Sequence, residues 1–197
     1  MTPTDRTLLD RIGAGDQAAL TQLYHAYRSK LWRYLWLQLD GDNALVEEVV
    51  QDVFVSVWRT ARVFRGEAQV STWLYRIAHH AAANALRSRS RRVEGQRPAR
   101  LDLLAHSAEI PTELESPSSE ETIVARMTLQ EALAALSPKH REALELLFVH
   151  GFTYDEIASI TGAPTGTIKS RVSYARRALH THLTSDQPLQ EISHDSI

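Results

Sequence analysis

Residues Thr153–Leu179 read TYDEIASITGAPTGTIKSRVSYARRAL. Thr153 and Glu156 stand at the spacing of a capping box, so a helix is expected to start at Tyr154. Gly162 tolerates the left-handed conformation that ends a helix, which places the stop after Thr161. A second helix is expected over about Thr165–Leu183. Ile157 and Ile160 fall on one face of the first helix, Ile168 and Val172 on one face of the second, and Ala158 is small where the two approach. This is a helix-turn-helix pattern, the form that lays its second helix in the major groove. Lys169, Ser170, Arg171, Ser173 and Tyr174 would be exposed near the start of that helix, with Arg176 and Arg177 further on. Arg and Lys suit the acceptor edge of guanine, and Ser serves as donor or acceptor. A plain helical hairpin with a solvated basic face is the competing description.

Upstream of this pattern, Ser137-Pro138 starts a helix over about Lys139–Val149, with Pro in the first turn where its missing N–H costs nothing. Another helix is expected over about Glu120–Leu136. In the N-terminal half, Asp16 caps QAALTQLYHAYRSKLWRYLWLQL, and Gly41-Asp42 breaks that helix. About Asn43–Arg59 follows, with Val46, Val49, Val50, Val53, Phe54 and Val57 on one face. A third helix is expected over about Ser71–Ser90, with Ser71 as its cap. No stretch alternates as a strand does, so the expected fold is all-α. Residues 93–120 contain three of the seven prolines and no aromatic residue. They read as an acidic coil with room for a helical turn at Leu101–Ala105. The expected organisation is a 1–92 domain, a 93–120 linker, a 121–184 domain and a 185–197 tail.

The 197-residue chain has a net charge of −2, unevenly placed. Residues 1–92 carry +4 and residues 121–184 carry +1, against −4 on the linker and −3 on the tail. Two mildly basic bodies are thus joined and followed by acidic strips, and local clusters govern association more than the total does. The absence of cysteine excludes disulfide frameworks and thiolate metal sites. Charges interrupt the first 17 residues, which argues against a signal peptide. No apolar run approaches the ~20 residues of a membrane span. A cytoplasmic chain with no membrane contact of its own is expected.

Two further groups stand out. Glu48, Gln51 and Asp52 share one helix face, opposite the valines. They lack the third acid or His that a metal would need, so the choice lies between a solvated face and a docking face for a basic partner. Arg59–Arg92 interleaves Phe64, Trp73 and Tyr75 with Arg76, His79, His80, Asn84, Arg87, Arg89, Arg91 and Arg92. Aromatic faces beside a basic track suit single-stranded nucleic acid. Taken alone, Trp73 is as well explained by a core position and the His pair by the surface. His180-x-His182 is too sparse for zinc, and no cofactor or catalytic residue is expected.

In combination, VEEVVQDVFVSVWR, VSTWLYRIAHH, NALRSRSRR and LSPKHREALELLFVHGFTYDEIASITGAPTGTIKSRVSYARRAL resemble a bacterial RNA polymerase sigma factor of the extracytoplasmic-function group, across about Asp16–Leu183. The resemblance implies a region-2 domain, then a region-4 helix-turn-helix domain. It implies that Glu48, Gln51 and Asp52 dock on the clamp helices of the core polymerase β′ subunit, and that the β flap is a second contact. It implies that Phe64, Arg65, Gly66, Glu67, Trp73, Arg76, His80, Asn84 and Arg87 melt and read the −10 promoter element. By the same resemblance Thr165, Thr167, Lys169, Ser170, Arg171, Ser173, Tyr174 and Arg177 read the −35 element. An anti-sigma protein is the further partner implied.

His80 stands where the family often has Asn, and Tyr174 near where it often has Arg or His, so promoter sequence does not carry over. The weak net charge fits a factor that leaves most phosphate neutralisation to the polymerase. A 28-residue coil spans roughly 30 Å on average. The free factor is therefore expected to be compact or mobile, its domains separating on the polymerase, with Glu109, Glu113 and Glu115 suited to a basic channel there. The alternatives are a free-standing helix-turn-helix regulator, which would need a dimerisation or effector domain, and a helical hydrolase built on Glu48/Asp52 and His79/His80, which lacks a nucleophile motif.

Overall fold

A computed structural model describes residues 4–95, 129 and 131–185. The elements are α1 (Asp5–Gly13), α2 (Gln17–Gln38), α3 (Asn43–Thr60), a 3-10 turn (Ala61–Val63), α4 (Val70–Gly95), α5 (Pro138–Phe148), α6 (Tyr154–Thr161) and α7 (Thr165–Ser185). No strand occurs among the described residues. The expected turn at Leu101–Ala105, Glu109, Glu113, Glu115 and the tail beyond Ser185 lie outside them, as does nearly all of the 93–120 linker. Of the expected Glu120–Leu136 helix, the described part is helical at 129 and 131–134.

The N-terminal half is a bundle of α2, α3 and α4 with α1 laid across it. Leu23, Leu31, Leu35, Val46, Val50, Val53, Leu74 and Ala78 are fully buried. Each buried Leu or Val contributes about 1.5–3 kcal/mol. The Asp16 and Asp42 caps, whose carboxylates accept from Ala19 N–H and Leu45 N–H, are worth about 1 kcal/mol each. Packing therefore drives this half, and the caps set where its helices begin. The C-terminal half packs α5, α6 and α7 around Leu146, Ile157, Ile160, Ile168, Val172 and Ala175.

Two local features depart from the sequence-based expectation. Residues Asp5–Gly13 form a helix capped by Thr4, and Leu8, Leu9 and Ile12 are buried beneath it. Ser71 is not the cap of α4. The helix starts at Val70, and Trp73 N–H already bonds to the Gln69 carbonyl, so the first helical hydrogen bond forms before Ser71 is reached. The helix also runs to Gly95 rather than stopping at Ser90.

The two halves dock. α6 lies along α4, and α5 meets α2. The Tyr34 hydroxyl of α2 donates to Glu142 Oε1 of α5 at 2.6 Å, and His79 Nδ1 of α4 reaches the same oxygen at 2.7 Å. The Tyr75 ring lies 4.8 Å from the Phe152 ring. This juxtaposition sets α6 against the start of α4.

Candidate nucleic-acid interface

Each half presents one face suited to DNA. On α4, Arg76, His80, Asn84 and Arg87 are exposed and recur at helical spacing along one side. Arg87 donates to Asn84 Oδ1, joining the two head groups. Partial burial lowers the His80 pKa, with His79, Arg76 and Arg87 adding to the effect, so His80 tends to its neutral form and offers one donor and one acceptor.

Below this track is the loop after the 3-10 turn. Arg65, Gly66 and Glu67 are exposed and Phe64 is half-buried. The Phe64 ring lies 5.1 Å from the ring of Trp73. Trp73 itself is only 8% exposed. It supports Phe64 from beneath rather than offering a free face. Gly66 has φ +76°, a conformation open to Gly without strain.

The helix-turn-helix forms as its sequence directs. Thr153 Oγ1 accepts from Glu156 N–H, and the Glu156 side chain accepts from Thr153 N–H at 2.9 Å, completing the capping box. Gly162 adopts φ +69°. The Thr165 hydroxyl donates to Asp155 Oδ1 at 2.8 Å, tying the start of α7 to α6. Lys169, Ser170, Ser173, Tyr174 and Arg177 are exposed, and Thr165, Thr167 and Arg171 are half-buried. The Tyr174 ring stacks on His140 of α5 at 4.5 Å and 27°. The Ser137 hydroxyl lies 2.9 Å from His140 Nδ1.

A third exposed face lies on α3, where Glu48, Gln51 and Asp52 project away from the buried valines. Val55, 45% exposed, and Trp58, 37% exposed, continue it. Among the described residues no group of three or more His, Asp and Glu side chains is placed to hold a metal ion. Among them, too, no helix is long and apolar enough to cross a membrane.

Similarity to known proteins gives these faces a family context. Residues 23–92 match the family model of sigma-70 region 2, and residues 126–179 match sigma-70 region 4. The chain is 31% identical over 193 residues to the ECF RNA polymerase sigma-E factor of Haemophilus influenzae, spanning 94% of this chain and 97% of the relative. It is 32% identical over 193 residues to the ECF RNA polymerase sigma-E factor of Escherichia coli (strain K12), spanning 94% and 96%. The chain belongs to the ECF sigma factors of the sigma-70 family. Its fold is similar to that of the sigma factor RpoE from Bartonella quintana, solved in complex with the anti-sigma factor NepR. That match has a TM-score of 0.66 and 27% identity, covering 85% of this chain and 98% of that one.

In this sigma factor the two halves meet through buried polar groups. Glu142 and Glu145 are 6% and 4% exposed. Glu145 Oε1 lies 3.3 Å from His150 Nε2, and Glu145 Oε2 is buried with no hydrogen-bond partner among the described residues. Burial, then the neighbouring Glu142, pushes the Glu145 carboxyl well above its usual range. Burial, with Arg33 and Lys30 nearby, lowers His150 to about 4. Neutral His150 can accept the Tyr75 hydroxyl at Nδ1, 2.8 Å away. Thr72 Oγ1 of α4 donates to Glu156 Oε1 at 3.1 Å. Burial alone would raise the Glu156 carboxyl, but bonds from Thr153 and Thr72 outweigh it and hold it low.

Sequence reasoning missed several residues of these faces. Val55 and Trp58 were visible as the apolar positions of α3 that fall off its valine stripe. His140 gave no local signal, because its contact with Tyr174 crosses from one element to another.

Proposed function

We propose that residues 1–92 act as the region-2 domain and residues 121–184 as the region-4 domain of a factor that carries core RNA polymerase to promoters. The observation that carries this is the division of DNA-facing chemistry. A track for unpaired bases stands on α4, and a duplex-reading helix stands on α7, in separate halves of one chain. The outer face of α3, Glu48, Gln51 and Asp52 with Val55 and Trp58 beside them, docks on the β′ clamp helices, and the C-terminal half meets the β flap. An exposed apolar pair beside carboxylates suits a partner that is basic and partly apolar.

Duplex recognition at −35 falls to Lys169, Ser170, Arg171, Ser173, Tyr174 and Arg177, with Thr165 and Thr167 toward the phosphates. Melting at −10 falls to the Phe64–Glu67 loop and to Arg76, His80, Asn84 and Arg87, with Trp73 as the support of Phe64. Extruding a base costs a few kcal/mol, which a shaped pocket repays through stacking and hydrogen bonds. The factor works in the cytoplasm and catalyses no reaction itself. Its docked arrangement, together with the fold it shares with a sigma factor solved on its anti-sigma partner, supports an anti-sigma protein that holds the two halves together.

The test is a binding titration with purified core polymerase. Replacing Glu48, Gln51 and Asp52 together by Ala should weaken binding while the helical content stays unchanged. Equal affinity of the triple variant and the natural chain would remove the α3 face from the interface.

A further inference from the structure

The melting loop is not free-standing. α1 packs along the 3-10 turn that precedes it, and Gly13 approaches so closely that a Cβ there would lie 3.2 Å from Arg62 Cα. Tyr27 of α2 donates to Asp5, fastening the start of α1 to the bundle. This brings Arg6 to the loop. Its guanidinium lies 5.1 Å from the centre of the Phe64 ring. At Gly66 a Cβ would come within 2.4 Å of Arg6 Nη1. The positive φ of Gly66 is what calls for glycine there, since the guanidinium is the far end of a flexible side chain that can shift.

Asp5, Arg6, Phe64 and Gly66 line a cleft of about 890 Å³ between α1, the loop, the start of α4 and α6. Arg6 is the one cation among the described residues that line it. Asp5 and Glu67 contribute carboxylates from the N-terminal half, and Asp155 and Glu156 contribute two more from α6. Thr72, on the same wall, is bonded to Glu156. While the halves are docked, the carboxylates of α6 stand where an anionic strand would enter. When α6 withdraws, Arg6 is left over an aromatic ring at the mouth of the cleft, its only ion-pair partner among the described residues the exposed Asp10 at 3.2 Å.

We propose that Arg6 is a strand-positioning residue of the sigma factor. It seats the Phe64–Glu67 loop through its contact with Phe64, and it takes a backbone phosphate of the unpaired strand once α6 has left. An Arg beside an aromatic ring is suited to this, since single strands are held by base stacking and by phosphate pairing. The inference rests on the assignment of this loop to the −10 strand.

The test uses reconstituted holoenzyme and a labelled single-stranded oligonucleotide carrying the non-template −10 region of a promoter recovered by holoenzyme selection from genomic DNA. Affinities of Arg6→Ala, Arg6→Gln, Arg6→Lys and Asn84→Ala are measured from about 50 to about 200 mM salt. A single phosphate contact on single-stranded DNA contributes about 0.7 to the slope of log affinity against log salt. Arg6→Ala and Arg6→Gln should therefore bind several-fold more weakly at low salt. Their deficit should shrink about 2.6-fold across that fourfold range. Arg6→Lys should keep the natural slope, and −35 duplex binding should be unaltered throughout. A merely structural role would weaken binding without changing the slope, and that result would overturn the proposal. If Asn84→Ala binds weakly while both neutral Arg6 variants behave as the natural chain does, Arg6 alone has been misassigned. If none of the variants changes binding, the assignment of the loop to the strand falls, and the proposal with it.

Discussion

Replacing Tyr34 by Phe isolates the docking of the two halves. Tyr34 is fully buried, and its ring packs against that of Tyr75 at 5.2 Å. The substitution keeps that packing and deletes only the hydroxyl. The hydroxyl's 2.6 Å bond to Glu142 joins residues 108 apart in sequence, one on each half. Its loss therefore falls on association between the halves and not on the fold of either. A hydrogen bond of this kind is worth about 1–3 kcal/mol, and Glu142 keeps His79 as a partner. The docked-to-separated ratio should fall by roughly 5- to 150-fold. The chain has no native cysteine, so dyes can be placed at Thr21→Cys and Ser173→Cys, both exposed positions. In free factor, Tyr34→Phe should enlarge the low-transfer population, and core polymerase should move both proteins fully into it. Identical transfer distributions for the natural chain and the Tyr34→Phe variant, with unchanged helical content, would mean that the Tyr34–Glu142 bond does not hold the halves together.

Docking should also depend on pH from both sides. The Glu145 carboxyl is raised in the docked state, so its contribution is complete below its ordinary pKa and is lost as pH rises. His150 is lowered to about 4, so its contribution is complete above the ordinary His range and is lost as pH falls toward 4. Lys30, Arg33, Tyr34 and Gln38 of α2, Tyr75 of α4, and Arg141 and Glu142 of α5 face this pair and shape the window. Glu145→Gln should flatten the alkaline arm, and His150→Gln the acid arm, in the same energy-transfer measurement. Gly162→Ala forces a Cβ into φ +69° and should cost about 1–2 kcal/mol in the thermal unfolding of the C-terminal half, whereas Gly162→Asn should lose less. Arg171→Ala should weaken −35 duplex binding by about 1–3 kcal/mol. Asn84→Ala should leave duplex binding intact and reduce permanganate reactivity of the −10 thymines.

What could be read from the sequence was what short-range physics controls. The capping box, Gly162 and the spaced isoleucines specify α6 and α7 locally. The valine stripe of α3 marks its buried face without reference to any partner. The start of α4 was misjudged by one residue because Ser71 has a capping side chain, while the first helical hydrogen bond forms at Gln69. α1 was hidden because its apolar face is short, Leu8, Leu9 and Ile12, and the contacts that seat it, Asp5 with Tyr27 and Arg6 with Phe64, reach residues far away in sequence. Glu142 and Glu145 sit in KHREALELL, where periodicity treats Glu as solvent-facing. Their burial follows from the approach of α2 and α4, which no window of sequence contains. The same holds for Arg6, whose partner Phe64 is 58 positions away.

As a sigma factor, this chain gives core polymerase its choice of promoter. The most direct measurement is transcription in vitro from genomic DNA by core polymerase with and without the purified chain, with the 5′ ends of the transcripts mapped. The chain should create a discrete set of start sites sharing spaced −35 and −10 elements. Replacing Glu48, Gln51 and Asp52 together by Ala should abolish that set. Start sites that are the same with and without the chain, together with tight promoter binding by the chain alone as a dimer, would contradict the claim.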